Sequence, residues 1–241
     1  MGRTKPLKRH IQPKSYLKIA KSMISNIGRF ITFEGGEGAG KSTQVNLLCK
    51  RLAHFGIKTL ATREPGGSQG AEEIREVLVN GNTNKFLPLT EALLHNAARH
   101  EHIQRTILPA INNGIWVICD RFSDSTFAYQ GFGLSLKKSA LEALNLLSVG
   151  TMKPDLTFII DIPVSQGLGR ANNREDNTSR YEKMDLLFHE RLRQGFLSIA
   201  AGESSRCKVV NGSLDLETVE NTVWRLLQDK FGNEIVKLKD T

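Results

Sequence analysis

Residues 35–42 constrain the fold of this chain more than any other segment, because they fit the pattern G-x-x-x-x-G-K-[ST] in full. An apolar run from Phe30 to Phe33 precedes them and is typical of a short buried strand. After Lys41, apolar residues recur at helical spacing until Gly56. A strand, a glycine-rich loop and a helix in this order predict a phosphate-binding loop, called the phosphate loop below.

The composition of the phosphate loop suits a triphosphate. Its glycines let consecutive backbone N–H groups turn inward around phosphate oxygens, and the following helix presents its positive end. Lys41 would reach the β- and γ-phosphates, and the Ser42 hydroxyl would bind Mg²⁺. The alternative, a glycine turn that merely precedes a helix, is disfavoured by the spacing and the lysine. The predicted ATP-binding residues are Gly35, Gly36, Glu37, Gly38, Ala39, Gly40, Lys41, Ser42 and Thr43.

Strand and helix patterns alternate along the rest of the chain. Further strands are predicted at 57–62, 115–119, 156–162 and 207–210, and further helices at 71–79, 89–112, 136–149, 181–201 and 216–231. This order predicts an α/β protein with the P-loop NTPase fold, in which a parallel five-stranded sheet carries helices on both faces. We assign residues 29–233 to a single domain and 234–241 to a C-terminal tail.

The net charge of +8 is concentrated at the N-terminus. Residues 1–29 hold eight Lys and Arg without any Asp or Glu, and the remainder carries 25 basic and 25 acidic residues. This balance disfavours a basic nucleic-acid groove in the folded part, and we expect no nucleic-acid partner. Residues 1–28 are predicted to be a disordered basic extension, with a targeting segment as the alternative.

The cysteines and the hydropathy bear on the compartment. Cys49, Cys119 and Cys207 are widely spaced and form no CxxC pair, so we expect reduced thiols in a cytoplasmic protein. No apolar run approaches the roughly 18–20 residues that span a bilayer, and we expect no membrane partner.

Charged residues follow two further predicted strands. The second strand ends in Arg63 and Glu64, and the third in Asp120 and Arg121. Ligands collect at the carboxyl ends of strands in an open parallel sheet. Asp120 could hold Mg²⁺ together with Ser42, as a Walker B aspartate does, and Arg121 could bind phosphate with paired hydrogen bonds. A helix-capping role is the alternative for Asp120 and Arg121.

Three motifs of this sequence resemble those of the thymidylate kinases. The run DRFSDSTFAYQG at 120–131 is similar to the DR[YFH]-x-x-S-x-x-AYQG signature, and TREPGG at 62–67 resembles that family's TREPGG. Arg99, after Ala97 and Ala98, matches the arginine that contacts the base. Together with the phosphate loop, the similarity extends from about Phe30 to Phe231. It implies a homodimeric kinase with a nucleoside-monophosphate-kinase-like lid. Such an enzyme transfers the γ-phosphate of ATP to dTMP for dTTP synthesis, with Mg²⁺.

The resemblance also implies roles for individual residues. Arg99 would bind the thymine, with Thr126 and Gln130 near its polar edge. Tyr129 would lie under the deoxyribose and exclude a 2′-hydroxyl. Arg121 would grip the dTMP phosphate, with Arg63 or Arg75 as weaker candidates. The substrate-binding residues so implied are Arg63, Glu64, His95, Arg99, Arg121, Thr126, Tyr129 and Gln130.

His95 departs from the family pattern, which has a thymine-stacking phenylalanine four residues before the arginine. A neutral imidazole can also stack, but it offers less area and a polar edge. The base affinity and its pH dependence are therefore the properties that this position would change.

The polar run at 172–180 is predicted to be an exposed loop. It resembles the arginine-bearing lid of the bacterial type, in which the phosphate loop carries an acidic residue, here Glu37. The resemblance implies a lid at about 170–181, with Arg174 as the first choice for the arginine that neutralises the transferring phosphoryl group and Arg170 as the second. The lid arginines are Arg170, Arg174 and Arg180; the catalytic set is Lys41, Arg121, Arg174, Asp120 and Glu37; the metal ligands are Ser42 and Asp120.

Two other functions stay open on the sequence. Another nucleoside monophosphate kinase of the same fold would share the phosphate loop but would not need Tyr129 or the 120–131 run. A nucleic-acid-stimulated P-loop ATPase would instead use the basic residues at 1–28.

Overall fold

The predicted strands form a parallel sheet with β1 at its centre. The computed structural model describes residues 27–173 and 180–239, and the strand order among them is β2-β3-β1-β4-β5. The strands are β1 (Phe30–Glu34), β2 (Thr59–Arg63), β3 (Trp116–Asp120), β4 (Leu156–Asp161) and β5 (Cys207–Asn211). Phe33 pairs with Asp120 on one side and with Phe158 on the other, so the strand ends that carry charged residues are level. The predicted five-stranded parallel sheet is confirmed.

Helices cover both faces of the sheet. They are α1 (Lys41–His54), α2 (Gln69–Val79), α3 (Pro88–His102), α4 (Leu108–Asn112), α5 (Ser123–Thr126), α6 (Lys138–Ser148), α7 (Val164–Asn172), α8 (Leu186–Gly202) and α9 (Leu216–Lys239). Successive strand residues point to opposite faces. Ile31 and Phe33 accordingly pack with the apolar sides of α1 and α9, and Phe30 lies in a separate cluster with Ile103 and Phe122.

One predicted helix differs from its predicted form, and one helical segment lies where no helix was predicted. The helix predicted at 89–112 contains a π-helical segment, Ile103–Ile107, between α3 and α4. A second π-helical segment, Phe127–Gly133, follows α5, so the 120–131 run is mostly helical. Both π-helical segments lie close to the sheet end where the charged residues are.

The predicted end of the last helix at Phe231 was wrong. Helix α9 continues to Lys239, through most of the segment that was assigned to a C-terminal tail at 234–241. The cause is tertiary contact: Ile235 is 2% exposed in the main core, and Glu234 accepts two hydrogen bonds from Arg29 at 2.9 and 2.7 Å. This packing extends the helix beyond the point that apolar spacing indicated.

The N-terminal extension falls mostly outside the described residues, which begin at Ile27. Gly28 is buried, and its N–H donates to the Ile111 carbonyl at 2.8 Å. The folded domain therefore includes residue 28, which had been assigned to the extension. Among the helices of the described residues, we find none with the length and apolar character needed to cross a membrane.

Candidate active site

The phosphate loop connects β1 to α1 at the centre of the sheet. Gly38 has φ +66°, and a Cβ there would lie 1.9 Å from the Gly167 carbonyl oxygen. Gly40, with φ +91°, caps the start of α1 in a left-handed conformation. These backbone positions require glycine and let the loop fold tightly in front of the helix. The Lys41 ammonium donates to the Gly36 carbonyl at 2.7 Å, so the lysine lies across the loop.

A cleft of about 530 Å³ opens where β1, β2 and β3 end. Most of the predicted site residues line it, namely Glu37, Gly38, Gly40, Lys41, Ser42, Thr43, Arg63, Glu64, His95, Arg99, Asp120, Arg121, Thr126, Tyr129 and Gln130. The topology thus brings together side chains from the first 130 residues, as expected for ligands bound at strand ends.

Ser42 and Asp120 meet at the β1–β3 end of this cleft. The Ser42 hydroxyl donates to the Asp120 carboxylate, although the two residues are 78 positions apart in the chain. Hard oxygen ligands of this kind suit Mg²⁺, which usually takes one or two protein oxygens and completes its shell with phosphates and water. The donor set at this point therefore fits the predicted magnesium ion.

Arg121 forms the centre of the cleft together with Glu37 and Tyr129. Its Nη2 donates to Glu37 Oε1 at 3.1 Å, and the Tyr129 hydroxyl donates to the same oxygen at 2.5 Å. The guanidinium carbon lies 4.9 Å from the Tyr129 ring centroid, which permits a cation–π contact. Burial raises the pKa of Glu37, but the positive charges of Arg121 and then Lys41 lower it by more. The resulting pKa is about 2. Glu37 is consequently an anion at neutral pH.

Arg99 lies at the other end of the cleft with one donor unused. Its Nε donates to Glu64 at 2.7 Å and its Nη2 to the Phe122 carbonyl at 3.0 Å. Its Nη1 is buried and has no hydrogen-bond partner among residues 27–173 and 180–239. A buried donor without a partner costs about 1–3 kcal/mol, so this N–H is well suited to a ligand acceptor.

The Glu64 carboxylate binds protein groups, one of which is Arg99. Its second carboxylate oxygen lies 3.1 Å from His102 Nδ1, and the Glu64 side chain is 3% exposed. Both oxygens are therefore occupied by protein groups. Glu64 was predicted to bind substrate, and the structure places it where it orients the arginine.

His95 lies one helical turn before Arg99 on α3. Its Nε2 is 2.8 Å from the Tyr181 hydroxyl, and the two ring centroids are 6.1 Å apart. Burial, followed by the charges of Arg99 and Arg180, lowers the His95 pKa to about 3. The imidazole that lines the cleft is therefore neutral at pH 7.

Arg180 corrects one prediction. It was placed in an exposed lid loop, yet it is 2% exposed and donates to the Leu78 carbonyl at 2.6 Å. Its guanidinium also contacts Glu91, whose other oxygen accepts a 2.7 Å hydrogen bond from Gln130. A charge without water must be paired, and Glu91 provides the pairing. Arg180 belongs to the supporting wall of the cleft.

Of the other two predicted lid arginines, the structure describes only Arg170. Arg170 is exposed at the end of α7 and donates to the Gly212 carbonyl at 2.9 Å, so it contacts the loop that follows β5. Arg174 lies outside the described residues.

Comparisons with known proteins agree with this geometry. The family model for thymidylate kinase matches residues 33–223. A thymidylate kinase of Afipia carboxidovorans is 47% identical over 210 residues, covering 86% of this chain and 92% of that protein. One from Caulobacter vibrioides is 48% identical, covering 85% and 98%. The crystal structure of thymidylate kinase from Ehrlichia chaffeensis superposes with a TM-score of 0.68 at 36% identity, covering 83% and 99%.

The chain belongs to the thymidylate kinase family.

Several residues that shape this thymidylate kinase cleft were not among the predicted ones. Pro65, Phe122, Ser125 and Tyr181 also line it. Arg75, a weaker predicted candidate for the dTMP phosphate, lines it too and donates to the Pro65 carbonyl at 2.7 Å. Ser125 is part of the 120–131 run, so its motif was a usable signal. Tyr181 had no such signal, because its position follows only from the fold.

Proposed function

We propose that the protein transfers the γ-phosphoryl group of ATP to dTMP and releases dTDP and ADP. The observation that carries this proposal is the order of groups along one cleft. The phosphate loop contacts Arg121 through Gly35 and Glu37, and Arg99, with its unused buried donor, contacts Phe122, the residue after Arg121. A phosphorylated nucleoside has complementary groups in the same order. Family membership supports the same reaction.

On the ATP side, the phosphate loop encloses the triphosphate. Backbone N–H groups of the loop and the start of α1 bind phosphate oxygens, and Lys41 leaves the Gly36 carbonyl to pair with the β- and γ-phosphates. Ser42 and Asp120, which contact each other, would hold Mg²⁺, and the ion would neutralise charge on the phosphates. Arg170 supports the loop after β5, and Arg174 is proposed as the arginine that contacts the transferring group.

On the dTMP side, Arg121 exchanges its contact with Glu37 for the acceptor phosphate. Arg63 and Arg75 lie along the same wall of the cleft and add positive charge. Arg99 donates Nη1 to a thymine carbonyl, with Thr126 and Gln130 beside the base. Tyr129, which makes edge-to-face contacts with Tyr181 and Phe188, would lie under the deoxyribose and exclude a 2′-hydroxyl by crowding.

These groups favour direct in-line transfer. Arg121 aims a phosphate oxygen of dTMP at the γ-phosphorus, while Lys41 stabilises the charge that develops on the transferring group. No covalent enzyme intermediate is required, because positioning and charge neutralisation supply the acceleration.

A homodimer and a cytoplasmic location are further parts of the proposal. Support for the homodimer comes from exposed apolar side chains on α2, α3 and the segment before α3, namely Val77, Leu87, Leu89 and Leu93. The three cysteines are free thiols, which suits a reducing compartment.

A coupled assay of ADP release tests the reaction. We expect dTMP to stimulate turnover far more than dGMP or AMP do, and Lys41→Ala to abolish it. Turnover that no monophosphate stimulates would refute the proposal. Stimulation by DNA or RNA without dTMP would instead support the nucleic-acid-dependent ATPase.

A further inference from the structure

The turn that carries Arg121 is fastened to a buried carboxyl group to which we have so far assigned no role. Glu34, the last residue of β1, is fully buried. Its Oε1 accepts hydrogen bonds from the backbone N–H groups of Phe122 and Ser125, at 2.8 and 3.3 Å. Its Oε2 lies 2.6 Å from the Ser125 hydroxyl. One carboxyl group thus holds both ends of the turn between β3 and α5.

Ser125 connects this carboxyl group to Arg121. The Arg121 Nη1 lies 3.2 Å from Ser125 Oγ and 2.9 Å from the Gly35 carbonyl oxygen. Because arginine can only donate, the Ser125 oxygen must accept from it. Burial, followed by the charge of Asp124, raises the pKa of Glu34 to about 8, so the hydrogen bond between Glu34 Oε2 and Ser125 can run in either direction near neutral pH. The three side chains form a hydrogen-bond chain that presents a serine lone pair to the guanidinium.

The backbone of the turn shows why such fastening is needed. Arg121 has φ +71°, in the left-handed region that a non-glycine residue keeps only where its surroundings hold it there. Asp124, the residue before Ser125, is a second anchor, because its carboxylate accepts hydrogen bonds of 2.7 and 2.8 Å from Arg206. The backbone conformation and the side-chain direction of Arg121 are therefore fixed by different partners.

We propose that Ser125 and Glu34 are positioning residues that aim the Arg121 guanidinium at the acceptor phosphate, with Glu34 acting through the Ser125 hydroxyl. This inference rests on the proposed function, in which Arg121 binds the phosphate of dTMP. Neither positioning residue needs to touch that phosphate.

Ser125→Ala removes the oxygen that Arg121 uses and leaves its contacts with Gly35 and Glu37. We expect kcat/KM for dTMP to fall about 10- to 100-fold, the range for a hydrogen bond to a charged group. The KM for ATP should change little. Thymidine, which lacks the phosphate, should inhibit the variant and the wild type with the same constant. A merely structural role of Ser125 would weaken thymidine and dTMP alike.

Glu34→Gln tests whether the carboxyl group acts through Ser125. Glutamine keeps the size and an oxygen for the Phe122 and Ser125 N–H groups, but its amide nitrogen cannot accept the Ser125 hydroxyl proton as an ionised carboxylate does. The comparison is therefore made at pH 9, above the Glu34 pKa of about 8. We expect a similar loss for dTMP and again no change for thymidine. The double variant with Ser125→Ala should be no worse than Ser125→Ala alone by more than about twofold, since groups in one chain are not additive.

Thr32→Val is the matched control. Thr32 lies on the same strand and the same face as Glu34, and its hydroxyl forms a 2.7 Å hydrogen bond with Thr157, without contact to Arg121. It should lower the melting temperature and leave the ratio of dTMP to thymidine affinity unchanged.

The outcomes separate the two proposals. Absence of dTMP-dependent ADP release in the wild-type enzyme would refute the proposed function itself. An active wild type together with a fully active Ser125→Ala, or with equal losses for dTMP and thymidine, would overturn the positioning role. Multiplicative losses in the double variant would overturn the route from Glu34 through Ser125. If Glu34→Gln fails to fold, Ser125→Ala with the thymidine comparison decides the positioning role.

Discussion

At the scale of single residues, His95 is where this chain differs from the pattern of its family. The imidazole lines the cleft beside Arg99, and its Nε2 is tied to the Tyr181 hydroxyl. Its low pKa, about 3, means that the folded protein binds fewer protons than the unfolded chain between pH 3 and 6.5. Stability from a neutral His95 is therefore present above pH 6.5 and is lost as the pH falls towards 3.

His95→Phe should remove this dependence. The wild type should lose stability between pH 7.5 and pH 5, and the variant should not. Because the imidazole keeps some contact with solvent, we expect the unfolding free energy of the variant minus that of the wild type to be about 1–2 kcal/mol larger at pH 5 than at pH 7.5. Urea unfolding at both pH values measures the change. Phenylalanine also offers a larger stacking surface, so KM for dTMP should fall. If the unfolding free energies of the two proteins differ by the same amount at both pH values, protonation of His95 does not destabilise the fold.

A residue's role could be predicted where it depends on local sequence spacing, and not where it depends on tertiary contacts. The roles of Lys41 and Ser42 depend on local spacing, so the sequence revealed them. Glu34 acts on Ser125 at a distance of 91 residues, and Arg180 pairs with Glu91 at a distance of 89. Such partners meet only after the sheet has formed, and neither pair has a signature in the spacing of the sequence. Arg180 consequently looked like an exposed lid arginine until the fold placed it in the wall.

Secondary structure shows the same division at the next scale. Apolar periodicity predicted every strand of the sheet among the described residues, to within two residues at each end. It missed the true end of α9, because Gly232 and Asn233 after Phe231 are typical of a helix end, whereas the turns beyond them are held by Ile235 and the Arg29–Glu234 pair. Tertiary contacts, which periodicity does not register, decided that boundary.

The end of α9 gives a prediction with a matched control. Ile235 is 2% exposed and Val236 is 60% exposed, although they are adjacent. Ile235→Ala should lower the unfolding free energy by about 2–4 kcal/mol, the range for truncating a buried aliphatic side chain. Val236→Ala should change it by less than about 0.5 kcal/mol. Equal small effects in denaturant titrations would mean that the segment after Phe231 is a tail.

The pair between Arg180 and Glu91 joins the residues after the lid segment to α3. Arg180→Met would leave the Glu91 carboxylate buried, with the uncharged side chains of Gln130 and Tyr181 as partners. We expect a loss of about 3–5 kcal/mol in stability, because one charge of a buried pair is left uncompensated. Adding Glu91→Gln should restore part of that loss in the same denaturant titration. No restoration would mean that the cost lies in packing and not in charge.

At the scale of the whole molecule, charge and function are separated along the chain. The positive excess lies in residues 1–29, and the described residues that line the cleft fall between 37 and 182. Deleting residues 1–26 should therefore leave kcat and KM for dTMP within about twofold of the full chain, since each of these lining residues is retained. Gly28 and Arg29 must stay, because they contact Ile111 and Glu234. The truncated and full proteins should also show equal ATP hydrolysis with and without DNA. If the deletion abolishes dTDP formation while the melting temperature is unchanged, the basic segment takes part in catalysis and the separation of charge from function is wrong.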